Sequence, residues 1–354
     1  MNTKRIRIKD VAAEAGVSVT TVSYILSNAS SYSFSAETVR NVHDAARKLG
    51  YVPSMAARAL ASNRSMMIGV VIPQTEMHKE LMFSNPFYGE FISSVEYTAR
   101  QNGYHILISG TNADQNYIEV ARTRSLDGII ILGMYMEEHC EELRQAGIPV
   151  VLVDCYADGG VFPSVQIDDC SGGYMATKYL LDKGHRRIAH VTGRLMGQGV
   201  NQQRMWGWRR ALEESGLEYD GGLLLDGEVS YEYGVEAGRR IAESIAAGGA
   251  SITANALSGV TAVFVSADIV ALGLYKGIRE SGVSIPEDVS VISFDDTWLA
   301  GVCDPGLTVV RQDVSLKGKS AVDTVLELIR HGKTDKQEIT LPIGIVERGS
   351  VCGR

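Results

Sequence analysis

The chain lacks any run of about 18 apolar residues, the length that a membrane-crossing helix requires, so a membrane-spanning protein is not expected. Its start, MNTKRIRIKD, is basic and has no apolar stretch of the signal-peptide kind, which favours a cytoplasmic location. The five cysteines, at 140, 155, 170, 303 and 352, show neither C-x-x-C spacing nor a neighbouring histidine pair. That excludes a zinc site and a disulfide framework and leaves reduced, mostly buried thiols as the expectation. Gly-x-Ser-x-Gly, His-Glu-x-x-His and Walker-loop signatures are all missing, so no enzyme activity, cofactor or metal is expected. The seven histidines are scattered, His185 in the GHRRI turn reading as structural, and so do Trp206, Trp208 and Trp298, the last bordering Asp295 in sequence.

With 354 residues the chain is long enough for two or three cores, and its 45% apolar and 21% charged residues are ordinary for a globular protein. Charge is unevenly divided. Residues 1–64 hold nine Lys/Arg against four acids, a net of +5, while the whole chain is −8, which leaves −13 on the remainder. A basic head on an acidic body implies that the head alone meets a polyanion.

Within that head, IKDVAAEAG predicts a helix with Val11, Ala12 and Ala15 on one face, ended by Gly16. VSVTTVSYILSN predicts a second, with Ser18 as its cap and Val22, Ile25 and Leu26 turned inward. Two short helices joined by a glycine turn have helix-turn-helix spacing, although a plain helical hairpin with solvated threonines also fits it. In the first case Val19, Thr20 and Thr21, with Tyr24 one turn on, stand where base edges are read, and Ser18, Ser23 and Asn28 suit phosphate oxygens. A third helix is expected over SAETVRNVHDAARKLGY, capped by Ser35 with Val39, Val42, Ala46 and Leu49 inward, and Pro53 can open a short helix after it.

From Met66 onward, apolar runs such as MMIGVVI, DGIIIL and IPVVLVD alternate with amphipathic segments, and the rhythm restarts at RRIAHVTG. Two doubly wound α/β subdomains are therefore predicted, with a ligand in the cleft outside the carboxyl ends of their strands. Asp154 closes VVLVD and Asp295 closes ISFDD; Arg204 is placed just before a helix of the second block, and Phe87 and Tyr88 begin a helix beside the first strand. Carboxylates, a guanidinium and an aromatic face suit a polyhydroxylated ligand. Each also has a structural reading, as turn cap, ion pair or core aromatic. Asp268, in SADIVALG, reads as a helix cap and hinge residue.

IKDVAAEAGVS-x-TTVS, SAETVRNV and LGYVPSMAARAL resemble the DNA-binding head and hinge of the lactose/galactose repressor family of bacterial transcription regulators, and IGVVIP, SNPFY, DGIII, GHRRIAHVTG, ALGLY, IPEDVSVISFDD and LTVVRQD continue the likeness along the chain. The resemblance implies a helix-turn-helix head over 1–52, a hinge helix and linker over 53–65, and a periplasmic-binding-protein-like effector and dimerisation domain over 66–350. Its chain would cross between subdomains near residues 167, 312 and 334, so that subdomain one holds about 66–167 and 313–333, and subdomain two 168–312 and 334–350. It implies that Ala57, Arg58 and Leu60 of the hinge meet the minor groove, Leu60 as a wedge between base pairs, and that Phe87, Tyr88, Asp154, Arg204 and Asp295 line the effector pocket. Two departures are visible: a link between the second and third helices one residue longer than usual, and a segment about six residues short before DGIII. The expected function is a homodimeric repressor of carbohydrate-utilisation genes on a palindromic operator, controlled by a sugar or glycoside. A purine, a sugar phosphate or a protein corepressor is the alternative control, and a solute-binding protein fits least. With no leucine heptad after residue 340, a dimer rather than a tail-linked tetramer is expected.

Overall fold

Glycine ends two of the three head helices. α1 (Ile8–Ala15) stops at Gly16, φ +67°, and α3 (Ala36–Leu49) at Gly50, φ +65°, both left-handed turns that a side chain would oppose. α2 (Val19–Leu26) lies between them, and Ser35 caps α3 by accepting from the Thr38 N–H. Val11, Ala12, Val22, Ile25, Val42 and Ala46 close a small core of their own, with Leu26, Val39 and Leu49 packed at its edge. The computed structural model describes residues 6–26, 33–52, 64–74, 82–112, 124–133, 143–145, 147–156, 161–195, 197–246, 256–334 and 337–354. The expected hinge helix, the long link after α2 and the shortened segment before residue 124 fall largely outside them.

In the body, β1 (Met67–Gln74), β2 (His105–Asn112), β3 (Gly128–Leu132), β4 (Val150–Val153), β5 (Ser164–Ile167) and β11 (Glu338–Leu341) form one parallel sheet in the order β11-β5-β4-β3-β1-β2. The second sheet runs β12-β10-β9-β8-β6-β7, from β6 (Ile188–Gly193), β7 (Leu224–Gly227), β8 (Ala262–Val265), β9 (Ser290–Asp295), β10 (Thr308–Gln312) and β12 (Ile343–Val346), with β12 antiparallel at its edge. β3, β4, β6, β8 and β9 are buried along their whole length, as strands covered on both faces must be. The covering helices are α4 (Pro86–Gln101) and α10 (Val314–His331) on the first sheet, and α5 (Asp169–Asp182), α6 (Val200–Glu214), α7 (Tyr231–Ala246), α8 (Asp268–Glu280) and the short α9 (Trp298–Val302) with the second.

One boundary differs from the sequence expectation. Residues 338–341 belong to the first sheet, where β11 pairs with β5, so the third crossing lies at Pro342 rather than near 334. Physically, α10 runs to His331 and its chain must return along the sheet it covers before it can cross.

The helix pair α5 and α6 is packed backbone against backbone. A Cβ on Gly173 would strike the carbonyl of Arg204, and one on Gly207 the carbonyl of Cys170. These two glycines hold the N-terminal halves of α5 and α6 side by side, which brings Asp169 against Arg204.

Candidate functional site

On the head, α2 presents Val19 and Thr20 to solvent, Val19 being 44% exposed, while Val22 and Ile25 hold the helix to the core. Ser18 is exposed, but its hydroxyl accepts from the Thr21 N–H at 3.0 Å and pairs with the Thr21 hydroxyl at 2.9 Å. It therefore serves as the cap, and Thr21, Ser23 and Tyr24 are half-buried behind Val19 and Thr20. Asn28, Ala57, Arg58 and Leu60 lie outside the described residues.

The cleft is built where strands end. Beyond β4, Asp154 takes φ +51°, and at the end of β9 Asp295 and Asp296 take φ +106° and +65°. Such values are uncommon for residues with a side chain and cost of order 1–3 kcal/mol each where strained. Lys317, 0% exposed in the first turns of α10, spends all three ammonium protons nearby: on both Asp154 oxygens at 2.6 and 2.8 Å and on the side-chain Oε1 of Gln312 at 2.5 Å. Gln312, which ends β10, donates its amide to Asp295 at 2.7 Å.

Arg204, only 6% exposed, continues the chain of contacts. Its Nε donates to Asp169 at 2.6 Å, one terminal nitrogen donates to the Ser266 carbonyl at 2.5 Å, the other stands 3.7 Å from Asp295, and the guanidinium lies 3.7 Å over the Phe294 ring. Tyr156 extends the set: its hydroxyl, two residues beyond Asp154, approaches Asp169 at 2.6 Å and the Ile167 carbonyl at 2.8 Å. These polar side chains, Asp154, Lys317, Gln312, Asp295, Arg204, Asp169 and Tyr156, thus form a partly closed ring across the strand ends of both subdomains.

Burial governs the protonation of this ring. It raises the pKa of Asp154 against the pull of Lys317, and that of Asp295 against the pull of Arg204. Arg204 loses to burial but gains more from Asp169 and Asp295, so its guanidinium is held above its ordinary range. Asp268 accepts from both the Thr297 N–H at 2.7 Å and its hydroxyl at 2.9 Å; burial and then the Asp295 charge push it up to about 8.

Of the residues expected at the pocket, Asp154, Arg204 and Asp295 join this ring, and Phe87 reaches it through Lys317, whose ammonium lies 5.6 Å from the ring centroid. Tyr88 packs edge to face on Phe87, 5.7 Å between centroids, and against the core. Three local expectations are corrected. Arg204 sits inside α6, five residues from its start, because Gly199 and not the following NQQ run opens that helix. Asp268 is the first residue of α8 with Ala267 at the cap position, and it holds the entry to α9 instead of capping its own helix. Trp206 and Trp298 are exposed, at 42% and 66%, and only Trp208 is a buried structural tryptophan.

Sequence reading missed Tyr156, Asp169, Gln312 and Lys317. Gln312 and Asp169 stood within reach, at or just beyond the carboxyl ends of β10 and β5, where the strand-end rule already pointed. Lys317 carried no such signal: in SLKGKS it looks like one polar residue among several.

Among the described residues no cluster of His, Cys, Asp and Glu has a metal-binding arrangement, and no helix is long and apolar enough to cross a membrane. Residues 7–54 match the family model "Bacterial regulatory proteins, lacI family", and residues 177–351 match "Periplasmic binding protein-like domain". The chain is 33% identical to the HTH-type transcriptional repressor PurR of Vibrio atlanticus (strain LGP32) over 351 residues, 97% of this chain and 98% of that one. A solved lac repressor dimer bound to operator and the anti-inducer ONPF superposes with a TM-score of 0.80 at 25% identity, covering 99% of this chain and 100% of that one. A complex of the transcriptional regulator CelR with cellobiose does so with a TM-score of 0.69 at 27% identity, covering 98% and 100%. A three-helix head with small side chains exposed on α2, two wound sheets and a polar ring between them agree with these likenesses: the chain belongs to the lacI family of bacterial regulatory proteins and is a DNA-binding transcriptional repressor.

Proposed function

We propose that the protein is a homodimeric repressor of carbohydrate-utilisation genes, bound to a palindromic operator and released from it by a small sugar-like inducer in the inter-subdomain cleft. The observation that carries the effector reading is the ring itself. Three carboxylates, a guanidinium, an ammonium and an amide converge at the strand ends of both subdomains beside the Phe87 ring, and hydroxyl groups can both donate to and accept from such a set. The cellobiose held by CelR, a protein of the same overall fold, supports the same class. Val19, Thr20 and Thr21 on α2 are the base-reading candidates, and Ala57, Arg58 and Leu60 the minor-groove ones.

Linkage supplies the mechanism. Residues from both subdomains share the ring, so a ligand that prefers one cleft geometry biases the subdomain angle, and with it the spacing of the two heads of a dimer. It shifts operator affinity by its differential affinity for the two states and by no more.

The test is a thermal-shift screen of the purified chain against free sugars, glycosides, sugar phosphates and nucleobases. A specific ligand at about one hundred times its Kd adds roughly 2.7 kcal/mol. Its effect should vanish in Arg204→Ala and in Asp295→Asn. Operator fragments selected from random DNA should carry two inverted half-sites, and the ligand should weaken their binding; a ligand that tightens it would make the protein corepressor-controlled.

A further inference from the structure

The charges of the cleft are matched to one another before any ligand arrives. Lys317 and Asp154 together carry no net charge, whichever of them holds the shared proton. Arg204 faces two carboxylates, Asp169 and Asp295, so that group is negative with both ionised and neutral with one. Lys317 is also saturated, with three acceptors for three protons, while Arg204 donates from Nε to Asp169 and from one terminal nitrogen to the Ser266 carbonyl and turns the other terminal nitrogen toward Asp295 at 3.7 Å.

Three helix starts near the ring have N–H groups met by side chains of the protein. Asp313 caps α10 through the Leu316 N–H, Asp168 caps α5 through the Ser171 N–H, and Asn85 caps α4 through the Phe87 N–H. Two of these three caps are themselves carboxylates. Glu90, one turn beyond Phe87 on α4, feels the same field: burial raises its pKa, and Asp313, Asp295 and Asp296 raise it further.

Building on the effector reading above, we propose that this cleft admits an uncharged polyhydroxylated compound and excludes phosphorylated and carboxylated ones, and that Lys317, masked by Asp154, is the residue that sets the limit. A hydroxyl is donor and acceptor at once, so it can enter between the Lys317 ammonium and the Asp154 carboxylate and leave both charges satisfied. A phosphate or carboxylate can bond the ammonium only by expelling Asp154, which strands a buried carboxylate. The Phe87 ring beside the ammonium then offers its face to the C–H side of a sugar ring.

Titration calorimetry on the full chain tests both halves. Wild type should bind a free sugar from a panel of glucose, ribose and cellobiose analogues and show no saturable heat with glucose 6-phosphate, glucuronate or inorganic phosphate at millimolar concentration. Saturable binding of any of these anions, lost in Arg204→Ala, would overturn the proposal while leaving the cleft an effector site. A ligand whose binding survives Arg204→Ala would instead count against the cleft reading itself. Asp154→Asn unmasks Lys317, and it should bind inorganic phosphate at least about tenfold more tightly than wild type, a gain of about 1.4 kcal/mol. The double variant Asp154→Asn with Lys317→Met should lose that gain. Phosphate binding by a folded Asp154→Asn no tighter than wild type overturns the role of Lys317; should that variant fail to fold, the anion panel on wild type still decides the charge class.

Discussion

Two buried titratable side chains give the protein an unusual dependence on pH. His190, stacked 4.4 Å from Phe264, donates from Nδ1 to the Phe264 carbonyl, and burial drives its pKa down to about 3. It lowers stability as the pH falls below its unfolded value near 6.5, because only the unfolded chain then binds the proton. Asp268 does the reverse. Its pKa rises from 3.8 to about 8 on folding, so the folded state holds the proton more tightly and stability is lost as the pH climbs through that range. Below about 6.5 the two slopes oppose each other; between about 6.5 and 8 the His190 effect is gone and Asp268 contributes a slope of at most about 1.4 kcal/mol per pH unit. Asp268→Asn, whose amide oxygen can still accept from Thr297, should flatten urea-unfolding stability across that window, and an unchanged slope would place the titration elsewhere. At this scale the sequence is only half legible. Asp154 and Asp295 are readable because a strand's carboxyl end faces the cleft whatever surrounds it. Lys317 is not, because lysine is seldom buried without a partner, and that partner, Asp154, lies 163 residues away in sequence.

Elements are held together by contacts that single substitutions can separate. Gly173→Ala would push a methyl group into the Arg204 carbonyl, and relief requires α6 to move off α5. Overpacking of this kind costs about 1–3 kcal/mol, and here it also lifts Arg204 from Asp169. We expect a lower urea midpoint together with loss of the effector's thermal shift; a lower midpoint with the shift intact would mean that the helix pair does not position Arg204. The segment after β12 is sewn in as tightly. Buried Ser350 accepts from the Thr308 N–H at 2.8 Å and donates to the Val291 carbonyl at 2.6 Å, and Arg354 donates its N–H to the Lys183 carbonyl at 2.8 Å. Ser350→Ala leaves a buried donor and a buried acceptor unpaired and should destabilise by about 2 kcal/mol or more, measured by chemical denaturation. Helix and strand order follow from apolar periodicity, and the caps at Ser18 and Ser35 from residue type. The third crossing does not, because GKTDKQEITLPIGIV reads alike for a strand in either sheet, and only pairing with β5 decides it.

For the molecule as a whole, charge and symmetry set what must assemble. A head of net +5 on a body of −13 repels DNA everywhere but at the head, so binding rests on few phosphate contacts per chain and one head covers only a half-site. In the proposed homodimer a second copy supplies the other half, and the exposed apolar side chains point to where it would dock. On α9, Trp298 and Val302 are 66% and 64% exposed although their neighbours Leu299 and Ala300 are buried. The helix is therefore anchored by one face and presents the other, with an indole and a branched side chain, to solvent, and large side chains of this kind are the usual anchors of interfaces. Placing a carboxylate there, as Val302→Asp or Trp298→Asp, should leave the thermal midpoint of the monomer nearly unchanged, because neither side chain contributes to the core. It should halve the mass seen by sedimentation at micromolar concentration and weaken operator binding, since the two heads are then no longer tethered. A variant that sediments as wild type would move the dimer contact away from α9, and a wild-type mass of four chains would contradict the dimer itself.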